Sequence, residues 1–273
     1  SPVMTRLSKK LGIKSYNMIF DKKKSSFIKK KFQAFDLIIA NNVFNHANNP
    51  KDFINGVKNL LSDSGKFVFE QPYFAHAIKN HQFDQIYHEH ISYFTILNLE
   101  NFLKFNGFKI IKISLVNYHG ISIRVEACLD KNKMSKPFNY NLLKKDEIKI
   151  GINKVGTYKL FMNKIKKEKK IFQNKIKDYI KKGYQIIGIG APAKGNTILN
   201  YFKLNNKNMK FICEASKHKI GKFTPISRIP IVSDEKLSKT DKKIICIVLN
   251  WNIKSFVIKK LKKINPKLKF LTI

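Results

Sequence analysis

The stretch YQIIGIGAPAKGNTILNYF, residues 184–202, decides the fold class of this chain. Its apolar start predicts a buried strand, and Gly188 and Gly190 predict a tight turn after that strand. The residues that follow have helical spacing. A strand that passes through a glycine turn into a helix is the first element of an α/β unit, so the sequence predicts an α/β protein.

The remaining segments extend this pattern in both directions. Apolar runs predict further strands, and the run at 35–43 is apolar enough for a strand buried on both faces. Two strands are predicted to pair around the turn at 117–120 as an antiparallel edge. The predicted strands are 15–20, 35–43, 62–72, 110–116, 122–129, 209–214, 229–232, 243–249 and 269–273. The predicted helices are a first one ending at Gly12, then 50–61, 98–108, 158–183 and one starting at Asn252.

Three parts are predicted along the chain. Residues 1–130 form one α/β domain, 131–182 a helical connector and 183–273 a second, smaller α/β domain. Residues 131–150 are polar and predict irregular structure. The apolar stripe of the helix at 158–183 is compatible with a coiled coil, but it spans few heptads and favours a connector packed on a domain.

Composition limits the classes of function. The formal net charge is +36, yet all but three of the 54 basic residues are lysines spread along the chain. Base readers and phosphate clamps favour arginine, so we expect no nucleic-acid partner, although the charge attracts anionic ligands such as nucleotides. No apolar run approaches the roughly 20 residues of a membrane helix. Three scattered cysteines suit a reducing cytoplasm, and we expect a cytoplasmic protein without a membrane partner.

The glycine turn at 188–197 has two interpretations. Its free N–H groups and Lys194 could hold a phosphate or pyrophosphate, or the glycines could serve only a tight strand–helix connection. Ala193 stands where a dinucleotide fingerprint has its third glycine. An NAD-type oxidoreductase is therefore a weaker alternative, which Glu214 at the end of the next strand partly supports.

The stretch QFDQIYHEH, residues 82–90, ends with two imidazoles, a carboxylate and a phenol within four consecutive positions. The His-x-His pair could bind zinc with His81 or Glu89 as a third ligand. It could also contain a general base, because histidine titrates near neutral pH and a neighbouring carboxylate can orient it. A polar loop without chemistry is the third interpretation.

Five segments together resemble one family, the S-adenosylmethionine-dependent C-methyltransferases of nucleotide-linked keto-deoxysugars. They are FDLIIANNVFNHANNPKDFINGVKNLL, FVFEQPYF, QFDQIYHEHISYF, GAPAKGNTILNYF and VLNWN. They occur in the family's order and cover nearly the whole chain. The resemblance implies an incomplete Rossmann-like methyltransferase domain, a long connector helix and a smaller Rossmann-like domain that binds substrate.

The resemblance also implies a mechanism. His90 removes the proton beside the sugar ketone, and the resulting enolate attacks the methyl group of S-adenosylmethionine. Glu89 holds the imidazole or contacts the sugar, while Tyr87 and His46 hydrogen-bond the ketone or enolate oxygen. The cofactor is expected beside Ala40, Asn41 and Asn42. The nucleotide-linked sugar is expected at Gly190, Lys194, Asn196, Trp251 and Asn252, although the last two could equally be a helix cap and a packed indole.

The chain also departs from the family. It lacks the family's cysteine-rich zinc-binding segment, so we expect no metal. It also lacks the acidic glycine-rich loop and the ribose-binding acid, which we expect to precede Ser1 in an N-terminally truncated relative. A separate polypeptide could supply that part in a split enzyme. The chain could instead be a non-catalytic nucleotide-sugar-binding remnant, and alone we expect it to methylate poorly.

Overall fold

The computed structural model describes residues 1–118, 120–131, 138–238 and 243–272, which fold into two compact units. The chain passes between the units several times, because two short segments of its N-terminal half belong to the second unit. The first unit comprises Ser1–His76, Glu89–Asn117 and Ile121–Asn153, and the second comprises Ala77–His88, Tyr118–Gly120 and Lys154–Ile273. The three-part division expected from the sequence stays a prediction.

A mixed sheet forms the centre of the first unit. Its described strands run in the order β1-β2-β4-β3, with β1 parallel to β2 and the other neighbours antiparallel. The strands are β1 (Phe35–Asn41), β2 (Leu61–Pro72), β3 (Phe108–Val116) and β4 (Ser122–Leu129). The helices are α1 (Pro2–Lys10), α2 (Lys22–Phe32), α3 (Pro50–Leu60), α4 (Phe74–Lys79), α5 (Ile96–Phe105) and α6 (Phe138–Ile150).

The second unit contains a parallel sheet with the described strand order β7-β6-β5-β8-β9. This is the doubly wound order of Rossmann-like folds, which reverses direction at the first strand, here β5. The strands are β5 (Gln185–Ile189), β6 (Ile212–Glu214), β7 (Ile231–Ser233), β8 (Ile244–Val248) and β9 (Lys269–Thr272). The helices are α7 (Val155–Lys181), α8 (Ala193–Tyr201) and α9 (Lys254–Ile264). The predicted α/β class is confirmed.

Two expectations for the first unit are wrong. Residues 15–20 form no strand, and α2 follows where no helix was predicted. The strand β1 exists, but it is not buried on both faces: Leu37 is 53% and Ile39 60% exposed. The reason is that no layer of the described residues covers the face that carries these two side chains; β1 also lies at the outside of the described sheet.

The segment at 131–150 is also not irregular throughout, because α6 occupies Phe138–Ile150. The polar composition of the segment does not indicate that one of its acidic residues is buried. Glu147 is fully buried and accepts hydrogen bonds from the N–H groups of Ile96 and Leu97 at 2.6 and 2.9 Å. A carboxylate at the first turn of α5 satisfies two N–H groups that lack partners in the helix. His119 and Ile273, which the predicted turn and last strand include, lie outside the described residues. In the described ranges we find no helix that is both long and apolar enough to cross a bilayer.

Candidate functional site

Two of the predicted active-site histidines lie together in the first unit. The ring centroids of His46 and His90 are 5.2 Å apart, with the ring planes inclined at 49°. His46 ends a short 3-10 helix, Phe44–His46, that follows β1. The carbonyl oxygen of Asn45 accepts hydrogen bonds from the N–H groups of Ile91 and Ser92, both at 3.0 Å. These two bonds hold the residues beside each histidine in register.

The surroundings of this pair leave the imidazoles accessible. Both rings are half-buried, and the ring of His90 meets Tyr93 edge-to-face at 6.4 Å. Phe44 is fully buried and stacks on Phe94 at 5.2 Å, so the short helix that carries His46 rests on the aromatic core. Half-buried imidazoles on a fixed support can accept and donate protons to a small molecule.

The QFDQIYHEH segment is divided between the two units. Tyr87 and His88 belong to the second unit, whereas Glu89 and His90 belong to the first. Tyr87 is half-buried with its ring 5.9 Å from that of His88, and both His88 and Glu89 are exposed. His81, the suggested third zinc ligand, instead pairs with Glu168 at 3.3 Å. Within the described ranges, no group of three or more histidine, cysteine or acidic side chains could hold a metal ion.

The residues expected beside the cofactor end β1. Ala40 is buried, Asn41 is exposed and Asn42 is half-buried. Asn42 has a positive φ of 51°, and its N–H donates to the carbonyl of Glu70 at 2.7 Å, so the chain turns sharply at this point. Asn41 thus places an exposed side chain at the carboxyl end of a strand, and the chain turns directly after it.

In the second unit, Gly190 and Asn250 follow the neighbouring strands β5 and β8 at the reversal of the strand order. Gly190 has a φ of 79°, and a Cβ placed on it would lie 2.6 Å from the side-chain carbon of Asn250. A glycine is therefore required here by both backbone conformation and space. Ligands of open α/β sheets bind at such reversal points, next to the carboxyl ends of the strands.

A carboxylate of the protein itself occupies part of the glycine turn. Glu214, at the end of β6, accepts hydrogen bonds from the N–H groups of Ala191 at 2.8 Å and Ser216 at 3.0 Å. Burial alone would raise the pKa of Glu214, but these donors and the ammonium group of Lys219 lower it below its ordinary value. The Glu214 carboxylate already accepts hydrogen bonds within the turn. This arrangement does not favour a role in which the carboxylate binds the ribose hydroxyls of NAD.

Lys194 and Trp251, both expected at the nucleotide-linked sugar, lie together, and a third residue joins them. The ammonium nitrogen of Lys194 is 4.1 Å from the centre of the Trp251 ring and 3.6 Å from a carboxylate oxygen of Asp84. The indole N–H of Trp251 donates to the same oxygen at 2.6 Å. The side chain of Lys194 is only 8% exposed, and this burial lowers its pKa, an effect that Asp84 opposes.

Asp84 and Trp251 border a pocket of about 230 Å³ in the second unit. Its lining includes Asn80, His81, Gln82, Asp84, Glu168 and Trp251. Asn196 is half-buried on α8, and Asn252 is exposed in a short 3-10 helix, Trp251–Ile253. The structure thus brings Lys194 to Trp251, and it leaves Asn196 and Asn252 with amide groups that solvent can reach.

The sequence analysis missed Asp84 and Asn45. Asp84 stands inside the QFDQIYHEH segment between Phe83 and Gln85, and all three are buried. An acidic residue beside a large aromatic residue is the available signal, but it does not reveal that the partners are Lys194 and Trp251. Asn45 contributes its main-chain carbonyl, and a pattern of side chains in the sequence cannot predict such a contact.

Comparison with known proteins covers both units. Residues 117–271 match the family described as the C-methyltransferase C-terminal domain, and residues 4–113 match the family described as the methyltransferase domain. A C-methyltransferase of Streptomyces niveus, NovU, is 30% identical over 201 residues, which are 73% of this chain and 48% of that protein. The chain therefore spans about half the length of this relative.

Proposed function

Because this chain belongs to the C-methyltransferase family, we propose that it serves methyl transfer from S-adenosylmethionine to a carbon beside the ketone of a nucleotide-linked deoxysugar. The observation that carries the proposal is the His46–His90 pair, with ring centroids 5.2 Å apart. Methylation at such a carbon requires a base that removes an acidic proton and a donor that stabilises the enolate oxygen. A pair of half-buried imidazoles offers both functions.

In the proposed mechanism His90 is the base. It takes the proton from the carbon beside the ketone, and the two electrons of that C–H bond move into the enolate. Protonated or neutral, His46 donates an N–H to the oxygen on which negative charge develops, and the phenol of Tyr87 is the second donor. Glu89 contacts the imidazole of His90 or a sugar hydroxyl. A placed base contributes about 10² to 10⁴ in rate.

The cofactor would be held in part by Ala40, Asn41 and Asn42 at the end of β1. When bound, S-adenosylmethionine would supply an electrophilic methyl group, and its sulfur would keep the electron pair of the S–C bond that breaks as the enolate carbon bonds to the methyl group. The residues of this chain supply an exposed amide at Asn41 and the main-chain turn at Asn42, which can orient a nucleoside.

The nucleotide part of the substrate is proposed to bind in the second unit, near Gly190 at the reversal of the strand order. The amides of Asn196 and Asn252 are accessible hydrogen-bonding groups for the diphosphate or the nucleoside. Lys194 and Trp251 contribute a positive charge and an aromatic surface. The net charge of +36 favours the approach of an anionic nucleotide.

A second candidate is a protein that binds nucleotide sugars without catalysis, or one half of a split enzyme whose other polypeptide completes the cofactor site. The exposure of Leu37 and Ile39 on β1 favours it, because an apolar strand face of this kind is usually covered. Calorimetric titration discriminates the two candidates. Binding of nucleoside diphosphate without binding of S-adenosylhomocysteine supports the second, and binding of both supports the first.

Proton abstraction can be tested apart from methyl transfer. A panel of nucleotide-linked keto-deoxysugars is incubated with the chain in D₂O without S-adenosylmethionine, and NMR follows deuterium entering the position beside the ketone. We expect exchange above the uncatalysed rate, with a loss of about 100-fold or more in His90→Ala. The matched control is His88→Ala, because His88 is exposed and has no role in the mechanism. Equal rates in His90→Ala and the unmodified chain would refute His90 as the base.

A further inference from the structure

The first half of the QFDQIYHEH segment is anchored in the second unit by a buried turn. Residues Phe83–Gln85 form a short 3-10 helix, and each of the three is buried. The ring of Phe83 packs against Tyr201 and Phe202, with centroid distances of 5.1 and 5.5 Å. The apolar contacts of Phe83 therefore fix one side of the turn against the end of α8.

Asp84 fixes the other side of the turn through polar contacts. One of its carboxylate oxygens accepts the indole N–H of Trp251 at 2.6 Å and lies 3.6 Å from the ammonium of Lys194. Lys194 and Trp251 are themselves in cation–π contact at 4.1 Å, so the three side chains form a closed triangle. Lys194 lies in the first turn of α8 and Trp251 follows β8, so Asp84 joins the segment to both sides of the strand-order reversal.

Release of this anchor is energetically unfavourable. Asp84 is 2% exposed and the side chain of Lys194 8% exposed, so separating them would leave charges without compensation in a poorly hydrated place. The chain leaves the turn through Ile86, whose N–H donates to the carbonyl of Phe83 at 2.9 Å. Tyr87 is the next residue, and its backbone follows directly from this constrained turn.

We infer that Asp84 is a positioning residue that sets the location of the Tyr87 phenol. This inference rests on the proposed function, in which Tyr87 donates a hydrogen bond to the enolate oxygen. Donors of this kind must lie about 2.7–3.1 Å from the developing oxyanion. A displacement of about 1 Å can reduce the rate by about 100-fold. Asp84 touches neither substrate nor cofactor in this role and acts through the turn that it anchors.

The test compares Asp84→Asn, which keeps the shape but removes the charge, with Trp251→Phe, which keeps an aromatic ring but removes the N–H donor. The control is Asp178→Asn, whose carboxylate is 57% exposed on α7 in the same unit. Deuterium exchange into the keto-sugar gives kcat and KM. We expect kcat to fall about 10- to 100-fold in Asp84→Asn and Trp251→Phe, and no change in Asp178→Asn. KM should change little in Asp84→Asn. For Trp251→Phe the readouts are kcat and the spectroscopic signal of Tyr87, because Trp251 is also proposed to contact the nucleotide.

Two spectroscopic measurements follow the geometry without relying on activity. Trp251 is the only tryptophan of the chain, so its fluorescence reports whether the contact with Asp84 is altered in Asp84→Asn. Incorporation of 3-fluorotyrosine gives a ¹⁹F NMR signal for Tyr87, which Tyr87→Phe assigns among the ten tyrosines. We expect this signal to shift or broaden in Asp84→Asn and Trp251→Phe and to stay unchanged in Asp178→Asn.

The outcomes separate this inference from the proposed function. If the unmodified chain shows no deuterium exchange but the Tyr87 signal changes in both variants, the proposed reaction is refuted and the positioning role is supported. An unchanged Tyr87 signal in folded Asp84→Asn, or a rise in KM alone, overturns the positioning role. If Asp84→Asn does not fold, kcat and the Tyr87 signal of Trp251→Phe decide.

Discussion

The indole N–H of Trp251 donates a 2.6 Å hydrogen bond to Asp84, which lies 167 positions earlier in the chain. The ammonium of Lys194 faces the same carboxylate from 3.6 Å. The short turn that contains Asp84 is thereby joined to two elements of the second unit. The energetic importance of this connection can be measured, because a buried charge is costly once its partner is removed.

Lys194→Met is expected to destabilise the protein by about 3 kcal/mol, because it leaves the Asp84 carboxylate buried beside an uncharged side chain. The double variant Lys194→Met/Asp84→Asn should regain most of this loss, since it buries no charge at this place. The free energy of unfolding is measured by urea titration. The control is Lys182→Met, which breaks the exposed pair with Asp178 and should change stability by less than about 0.5 kcal/mol. Equal effects of the single and double variants would contradict the buried pair.

Glu147→Ala is expected to lower the free energy of unfolding by at least about 2 kcal/mol. The change removes the acceptor of two N–H groups at the start of α5 and leaves them buried without a partner. Glu147→Gln, which keeps one acceptor oxygen, should lose about half as much. Thermal and urea unfolding give the values, and the neighbouring exposed Asp146→Asn is the control. If Glu147→Ala is no less stable than Asp146→Asn, the capping contact is unimportant.

Gly190→Ala and Gly156→Ala should have opposite effects on stability. At Gly190 the positive φ of 79° and a 2.6 Å approach to the Asn250 side chain predict a loss of about 2 kcal/mol or more. At Gly156, in the first turn of α7, a Cβ meets nothing within 4 Å, and alanine should stabilise by about 0.5 kcal/mol. Urea midpoints check both values. A stabilised Gly190→Ala would show that the turn is not held in this conformation.

The lowered pKa of Glu214 makes stability depend on acid pH. A carboxylate with a lowered pKa in the folded state contributes stability above its unfolded pKa, and this contribution is lost as the pH falls. We therefore expect the urea midpoint to decrease below about pH 4.5, the ordinary value for this group. Glu214→Gln should show a smaller decrease over the same pH range. Parallel pH profiles of the two proteins would refute the contribution of Glu214.

The sequence predicts local elements of the fold well and burial less well. The segment at 184–202 forms the expected strand, turn and helix, because glycine positions and apolar runs are local signals. The strand at 35–43 has the composition of a central strand, but the described sheet places it at an outside position. The composition of a strand indicates how much apolar surface it could bury. It does not indicate which neighbouring elements are present to cover that surface. The buried contact of Glu147 is likewise invisible in a polar segment.

The roles expected for the candidate site residues come from the family resemblance, because the side-chain types of residues 82–90 alone left a zinc site, a general base and a polar loop open. His46 and His90 were expected to act together, and their rings are 5.2 Å apart. The main-chain bonds of Asn45 that hold them could not be foreseen, because every residue has a carbonyl. Asp84 was missed because its partners lie more than 100 residues away, and only the folded chain reveals that pairing. The chemical roles of these residues stay predictions until the exchange experiments are done.

The outside position of β1 affects how separate molecules of this protein meet. The strand presents Leu37 and Ile39 to solvent, and an edge that no described strand pairs with offers its N–H and C=O groups to a strand of another copy. The charge of +36 keeps copies apart in dilute salt, whereas at about 1 M salt the screening length falls to about 3 Å. Salting out and crystallisation trials should therefore promote edge-to-edge pairing of β1. Storage at low ionic strength should oppose this pairing.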